Sequence, residues 1–123
     1  MAPRLTLPAQ RRLRRKSDFD AAYARGARFG NGFFSVTANS NDLGAPRLGL
    51  AVAVKVAGGA VARNRIRRII RESFRVHQQH LPALDIVVSA RPRARQAAAP
   101  ELHASLETLW KELAARCAPS SPS

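Results

Sequence analysis

Arg63-Asn64-Arg65-Ile66-Arg67-Arg68-Ile69-Ile70-Arg71-Glu72-Ser73-Phe74-Arg75 places six arginines in thirteen residues without a proline or a glycine. At about 100° per residue, this segment sorts its side chains by helical period. Ile66, Ile69, Ile70, Phe74 and the following His77 gather on one side. Asn64, Arg67, Arg68, Arg71 and Arg75 gather on the other, with Arg63 and Arg65 at the margins. One face suits a core. The other presents guanidinium forks, which match phosphate oxygens and stay charged at any physiological pH. A solvated amphipathic helix is the plainer reading, but such a face usually mixes acids with bases, and here only Glu72 is acidic. Cations also crowd the first turns, where the helix dipole disfavours them. An arriving anion would offset that cost.

The rest of the chain leans the same way. Twenty-one Lys and Arg against eight Asp and Glu give a formal charge of +13 on 123 residues, a balance whose natural complement is a polyanion. The length predicts one domain spanning 1–123. At 46% hydrophobic, the composition is too rich for a disordered basic tail. No uncharged run approaches a membrane span, and the N-terminus shows no apolar signal region, so a cytoplasmic protein without a membrane partner is expected. Lone Cys117 excludes a disulfide framework within the chain, and no Cys/His spacing suits zinc.

Residues 1–16 hold Arg4, Arg11, Arg12, Arg14, Arg15 and Lys16 without an acid, and read as a basic arm. Residues 17–117 read as the globular core and 118–123 as a flexible tail. Ser17 is placed to cap a short helix carrying Asp18 in its first turn, with Phe19 and Tyr23 four apart and a stop near Gly26. Phe33 to Ala38 is β-prone, Asn39 to Pro46 reads as a turn, and Leu48 to Val56 as a buried strand. Gly58-Gly59 precede the arginine helix, set at about Ala60 to His77. Asp85 to Ala90 reads as a second buried strand and Arg91 to Ala99 as a basic, alanine-rich loop. Pro100-Glu101 open a last helix with Leu102, Leu106, Leu109, Leu113 and Trp110 as its core stripe. This order predicts an α+β class: two layers, a small sheet with helices chiefly on one face. A strand–helix–strand passage from Leu48 to Val88 has a right-handed crossover as its default.

Covalent chemistry finds no footing. The eight carboxylates are thinly spread and each has a capping, turn or surface reading; none pairs in a context resembling a metal-dependent nuclease. No phosphate-loop motif is present, and Cys117 has no plausible local base. The residues describe a nucleic-acid binder. Phe19 and Tyr23 favour RNA, because rings one turn apart can stack on unpaired bases; core packing is the competing use of Phe19, and Tyr23 is the better fitted to a surface cleft.

Arg63-Asn64-Arg65-Ile66-Arg67-Arg68, continuing to Arg71, resembles the RNR signature of the bacterial ribonuclease P protein family. Asp18-Phe19 with Tyr23-Ala24-Arg25-Gly26 is similar to the family's first helix, and Arg47-Leu48-Gly49-Leu50-Ala51-Val52 to its central strand. Leu81 to Val88 resembles the strand after the signature helix, and Leu106 to Trp110 the last helix. The likeness covers roughly residues 5–117.

The resemblance implies a two-layer α+β sandwich with about four strands in a mixed sheet, about three helices and a left-handed βαβ crossover, the fold of the second domain of a small-subunit ribosomal protein. It implies a holoenzyme whose RNA removes the 5′ leader of precursor tRNA with bound Mg2+, while the protein supplies no catalytic side chain and no metal ligand. Its implied partners are the catalytic RNA and the leader, with no obligate protein partner. By resemblance, Arg63, Asn64, Arg65, Arg67, Arg68 and Arg71 would face RNA. Phe19, Tyr23 and Lys55 would border the leader cleft, Lys55 at the basic end of the strand, and Arg11, Arg12, Arg14, Arg15 and Lys16 would form a basic arm. This chain has Val54-Lys55 where many members carry two adjacent lysines, and Tyr23 where phenylalanine is commoner. A ribosomal RNA-binding protein, equally small and basic, is the rival expectation.

Overall fold

The structure, a computed structural model, describes residues 12–13, 16–41 and 43–116. Four helices, α1 (Lys16–Arg25), α2 (Val54–Ala57), α3 (Ala60–His77) and α4 (Ala99–Arg116), accompany four strands, β1 (Ala27–Gly30), β2 (Phe34–Ser40), β3 (Arg47–Leu50) and β4 (Leu84–Ala90). The strands form one mixed sheet in the order β1-β2-β4-β3. β2 pairs antiparallel with β4 from Phe34↔Ala90 to Ser40↔Leu84, and β3 runs parallel to β4 with Leu48 opposite Ile86.

Alternation along β4 decides where the helices sit. Ile86 and Val88 join Phe34, Val36 and Leu48 in a core closed by Ile66, Ile69, Ile70 and Phe74 of α3 and Leu102, Leu106, Leu109 and Leu113 of α4. Val87 points the other way, into a smaller cluster with Leu13 and Ala22 that Phe19 packs against. Helices therefore cover both faces of the sheet: α3 and α4 one, α1 the other. The expectation of helices chiefly on one face understated α1. With both sides covered, Ile86, Val87 and Val88 of β4 form an unbroken apolar run, as strands buried on two faces do.

α3 and α4 are fastened at their crossing. Trp110 meets Phe74 edge-on, with ring centroids 5.9 Å apart at 73°, a geometry aromatic quadrupoles prefer. The indole Nε1 donates to the Ser73 hydroxyl at 2.8 Å, within the core. A buried N–H thereby keeps its partner.

The element boundaries also depart from the sequence expectations. The strand set at Leu48 to Val56 ends at Leu50; Ala51 N–H makes one more ladder bond, to Val88, and Val54–Ala57 then turn as α2. That helix stops because Gly58, at φ +96°, takes the left-handed conformation and donates its N–H to Val54. β1 was not foreseen: Ala27–Gly30 is short, and three of its four residues are exposed. Within the basic loop, Pro92–Arg95 form a 3-10 turn. Helix α3, in contrast, occupies Ala60–His77, the bounds its periodicity implied.

Candidate nucleic-acid interface

α3 begins without help from side chains. Its N-cap, Gly59, makes no side-chain hydrogen bond, and no acid stands in the first turn. The signature then divides by position around the helix. Arg63 and Arg65, the marginal pair, are half-buried. Arg63 Nε donates to the carbonyl of Val52 at 2.7 Å, and Arg65 Nη2 to the carbonyl of Ala97 at 3.0 Å. Both answer carbonyls outside helices and strands, one past the end of β3 and one before α4. These two arginines tie α3 to the rest of the fold.

Asn64 and Arg68 are exposed, and Arg67 and Arg71 half-exposed, on the opposite face. Among the described residues, none of Arg63, Arg65, Arg67, Arg68 and Arg71 pairs with a carboxylate. The proton affinity of Arg67 falls below the ordinary arginine value, through partial burial first and then through the like charges of Arg63 and Arg71. Like charges at i,i±4 repel, so the bare face is held together against its own electrostatics. An array of phosphate oxygens would reverse the sign of that interaction.

On the far face of the sheet, α1 presents its two rings differently. Phe19 is half-buried over β3: a Cβ placed on Gly49 would stand 2.9 Å from two of its ring atoms and 3.0 Å from Leu13 Cβ. Glycine at 49 is what lets the ring lie on the strand backbone, so packing claims much of Phe19. Tyr23, one turn on, is 41% exposed. It is the ring with a free surface.

A polar network anchors α1 beside them. Arg47 donates from Nε and Nη2 to the two Asp85 oxygens at 2.8 and 2.7 Å, and its Nη2 lies 3.6 Å from Asp18 of α1. Asn41 Nδ2 adds a bond to Asp85 at 2.9 Å. The hydrogen bond to Asp85 raises the pKa of Arg47 further above its ordinary value, against the opposing effect of burial. Spacing in the sequence gave no sign of this network.

Lys55 lies on α2 rather than on a strand, with its side chain exposed. Its carbonyl accepts from Arg95 Nη2 at 2.6 Å, while Arg95 Nε reaches Val56 at 2.8 Å. Of the basic arm, Arg11, Arg14 and Arg15 lie outside the described residues. Arg12 forms a parallel bridge with Leu48, and Leu13 N–H donates to Leu48 at 2.7 Å; the arm's end thus runs along the edge of β3. Arg12 Nε is buried with no hydrogen-bond partner among the described residues. Lys16 starts α1, exposed. Among the described residues, no three His, Cys, Asp or Glu side chains gather as a metal-holding group, and no helix is long and apolar enough to cross a membrane.

The family model described as Ribonuclease P matches residues 7–114, nearly the whole of this framework and all of α3. The chain belongs to the ribonuclease P protein family. A ribonuclease P protein component from Thioalkalivibrio sulfidiphilus is 37% identical over 111 residues, covering 90% of this chain and 92% of that one. One from Staphylococcus epidermidis is 46% identical over 101 residues, covering 81% and 87%. Among solved structures, the Staphylococcus aureus ribonuclease P protein superposes with a TM-score of 0.79 at 38% identity, over 83% of this chain and 94% of that one. The Thermotoga maritima protein does so with 0.75 at 31%, over 82% and 96%. As a ribonuclease P protein subunit, the chain works in tRNA processing with the ribonuclease P RNA as its partner. The ribosomal alternative gains no support from these relatives.

Proposed function

We infer that this subunit assists an RNA catalyst in removing the 5′ leader of precursor tRNA, by binding both the catalytic RNA and the leader. The α3 face carries the reading. A helix that exposes Asn64, Arg67, Arg68 and Arg71 with no carboxylate partner among the described residues is suited to phosphates of a folded RNA. Arg63 and Arg65, by securing α3, hold that face at a fixed angle to the sheet. Binding at several phosphates releases counterions, so affinity falls steeply with salt. Neutralising charge where two polyanions meet also favours substrate and Mg2+ at the RNA's own active site, and the metal ions would be held by RNA oxygens. The place of action would be the cytoplasm.

For the leader, Tyr23 supplies the exposed ring, with Phe19, one turn before it, packed on the strand at Gly49. Stacking on aromatics takes up unpaired nucleotides with little regard to sequence. Lys55, on α2, would add a phosphate contact at the cleft margin. The test compares holoenzyme affinity for precursor and mature tRNA. Tyr23→Ala should weaken precursor binding several-fold and spare mature tRNA, whereas an equal loss on both would remove Tyr23 from the leader site.

A further inference from the structure

Lys55 owes its place to a helix with little to hold it. α2 is four residues long, far below the length at which a helix is stable alone, and of these residues only Ala57 is buried. The Lys55 side chain is exposed and makes no hydrogen bond or ion pair among the described residues. Its position therefore depends on the backbone that carries it. That backbone ends on carbonyls for which no further turn supplies donors. Gly58 and Gly59 both donate to the Val54 carbonyl at 3.0 Å, which leaves the carbonyls of Lys55 and Val56.

Arg95 takes both. With Nη2 on Lys55 and Nε on Val56, its fork spans two successive carbonyls of the turn. Cationic side chains answer helix C-termini in this way, and the planar guanidinium suits a two-point contact. Gly58 makes room for the fork: a Cβ there would stand 3.2 Å from both Cδ and Nε of Arg95. The 3-10 turn that delivers Arg95 is itself anchored. Ala94 is fully buried, and its N–H donates to the Arg91 carbonyl at 2.9 Å. Arg91 N–H donates in turn to the carbonyl of Phe33, just before β2, at 2.8 Å. A connected line of bonds thus runs from the start of β2, through the turn, to the backbone of Lys55.

We propose that Arg95 is a positioning residue for precursor tRNA: by capping α2 it sets where Lys55 stands at the margin of the leader cleft. This role rests on the reading of Lys55 as a leader contact and adds the residue through which that contact is set. The guanidinium of Arg95 is spent on the two carbonyls rather than on a phosphate. Without the fork, α2 keeps the burial of Ala57 and the bonds from Gly58 and Gly59, so the fold survives while Lys55 samples more positions. A less ordered cation binds a phosphate more weakly, because fixing it costs entropy on binding.

Holoenzyme assembled with saturating protein is titrated with precursor and mature tRNA for the wild type, Lys55→Ala, Arg95→Ala and the double variant. Lys111→Ala on α4 loses the same charge and should match the wild type. Lys55→Ala should weaken precursor binding several-fold and spare mature tRNA, and Arg95→Ala should reproduce most of that loss, again on the precursor alone. In the Lys55→Ala background, Arg95→Ala should cost less than about twofold, since it acts through a side chain already gone. Arg95→Lys, which keeps the charge and cannot bridge both carbonyls, should recover only part of the affinity. The melting temperature of Arg95→Ala should stay within about 3 °C of wild type, as for a surface substitution. Losses that multiply in full in the double variant would show Arg95 acting independently of Lys55 and overturn the proposal. So would a salt slope for binding the catalytic RNA lowered by about one phosphate contact in Arg95→Ala, which would put Arg95 on RNA itself. Equal losses on precursor and mature tRNA, the mark of a merely structural cap, would overturn it too, as would full affinity in Arg95→Ala beside a weakened Lys55→Ala. A silent Lys55→Ala would instead sink the reading of Lys55 as a leader contact, and the role of Arg95 with it.

Discussion

Arg63 donates from Nε to the carbonyl oxygen of Val52 at 2.7 Å, so an arginine of the RNR signature is bound into the protein's own backbone. Val52 is the residue at which the chain has left β3 and has not yet entered α2. Its carbonyl finds a side-chain donor there in place of a ladder partner, and a charged donor is worth about 1.5–3 kcal/mol in such a setting. Arg63→Ala is therefore expected to lower stability by about 1–2 kcal/mol, with Arg65→Ala similar through Ala97. Arg68→Ala, on the exposed face, should leave the denaturation midpoint within about 0.5 kcal/mol of wild type. Urea unfolding of the three variants checks the division; equal stability of all three would refute it.

The crowding of Arg63, Arg67 and Arg71 makes the free protein sensitive to ions. Each like-charge pair at i,i+4 costs about 0.2–0.5 kcal/mol at low salt, and added salt screens it. The melting temperature should rise from low to moderate sodium chloride, and rise further in inorganic phosphate at equal ionic strength. Arg67→Gln should raise stability at low salt and show a smaller salt response. A melting temperature that falls with salt would contradict this account of the helix.

Phe19 rests on Gly49 because no Cβ intervenes. Gly49→Ala puts a methyl group 2.9 Å from the ring and should destabilise the protein by about 1–3 kcal/mol, as overpacking does, while loosening α1. Combining Gly49→Ala with Phe19→Leu should recover part of the loss. Calorimetry on the single and double variants reads this, and additive losses would show that the two residues do not meet.

Arg47 and Asp85 form a bidentate pair shielded from solvent, their side chains 19% and 12% exposed. Removing one partner leaves a charge with little water, which costs about 3–5 kcal/mol at full burial and somewhat less here. Arg47→Met should be severely destabilised, and Arg47→Met/Asp85→Leu should regain a large share, since replacing both charges avoids the stranded one. A double variant as unstable as the sum of the two singles would deny the coupling.

What the sequence made legible follows from period and chemistry. Ile66, Ile69, Ile70 and Phe74 recur at helical spacing, so α3 and its cationic face could be read directly, as could the leucine stripe of α4. Arg63 and Arg65 fell at the margins of that wheel, but nothing in the sequence named the carbonyls they reach, which belong to segments brought close only by folding. The strand at Leu48 ran too far because Val54 and Val56 suit a strand locally; pairing with β4 and the left-handed Gly58 overrule that preference. β1 was hidden by its length and its exposed alanine, arginine and glycine. Tyr23 as the accessible ring and Phe19 as the packed one could be separated only with Gly49 beneath the latter. The Ser73–Trp110 bond was equally out of reach, since a serine on an apolar helix face gives no sign of its partner.

Reconstitution from purified parts tests the central claim most directly. Precursor tRNA is incubated at low magnesium with the catalytic RNA alone, the protein alone, and both, and leader release is followed. The account predicts efficient cleavage only with both, with Arg68→Ala/Arg71→Ala requiring more protein to reach the same rate, and restoring that rate at saturation. Leader release by the protein alone, or cleavage by the RNA that is indifferent to the protein, would contradict it.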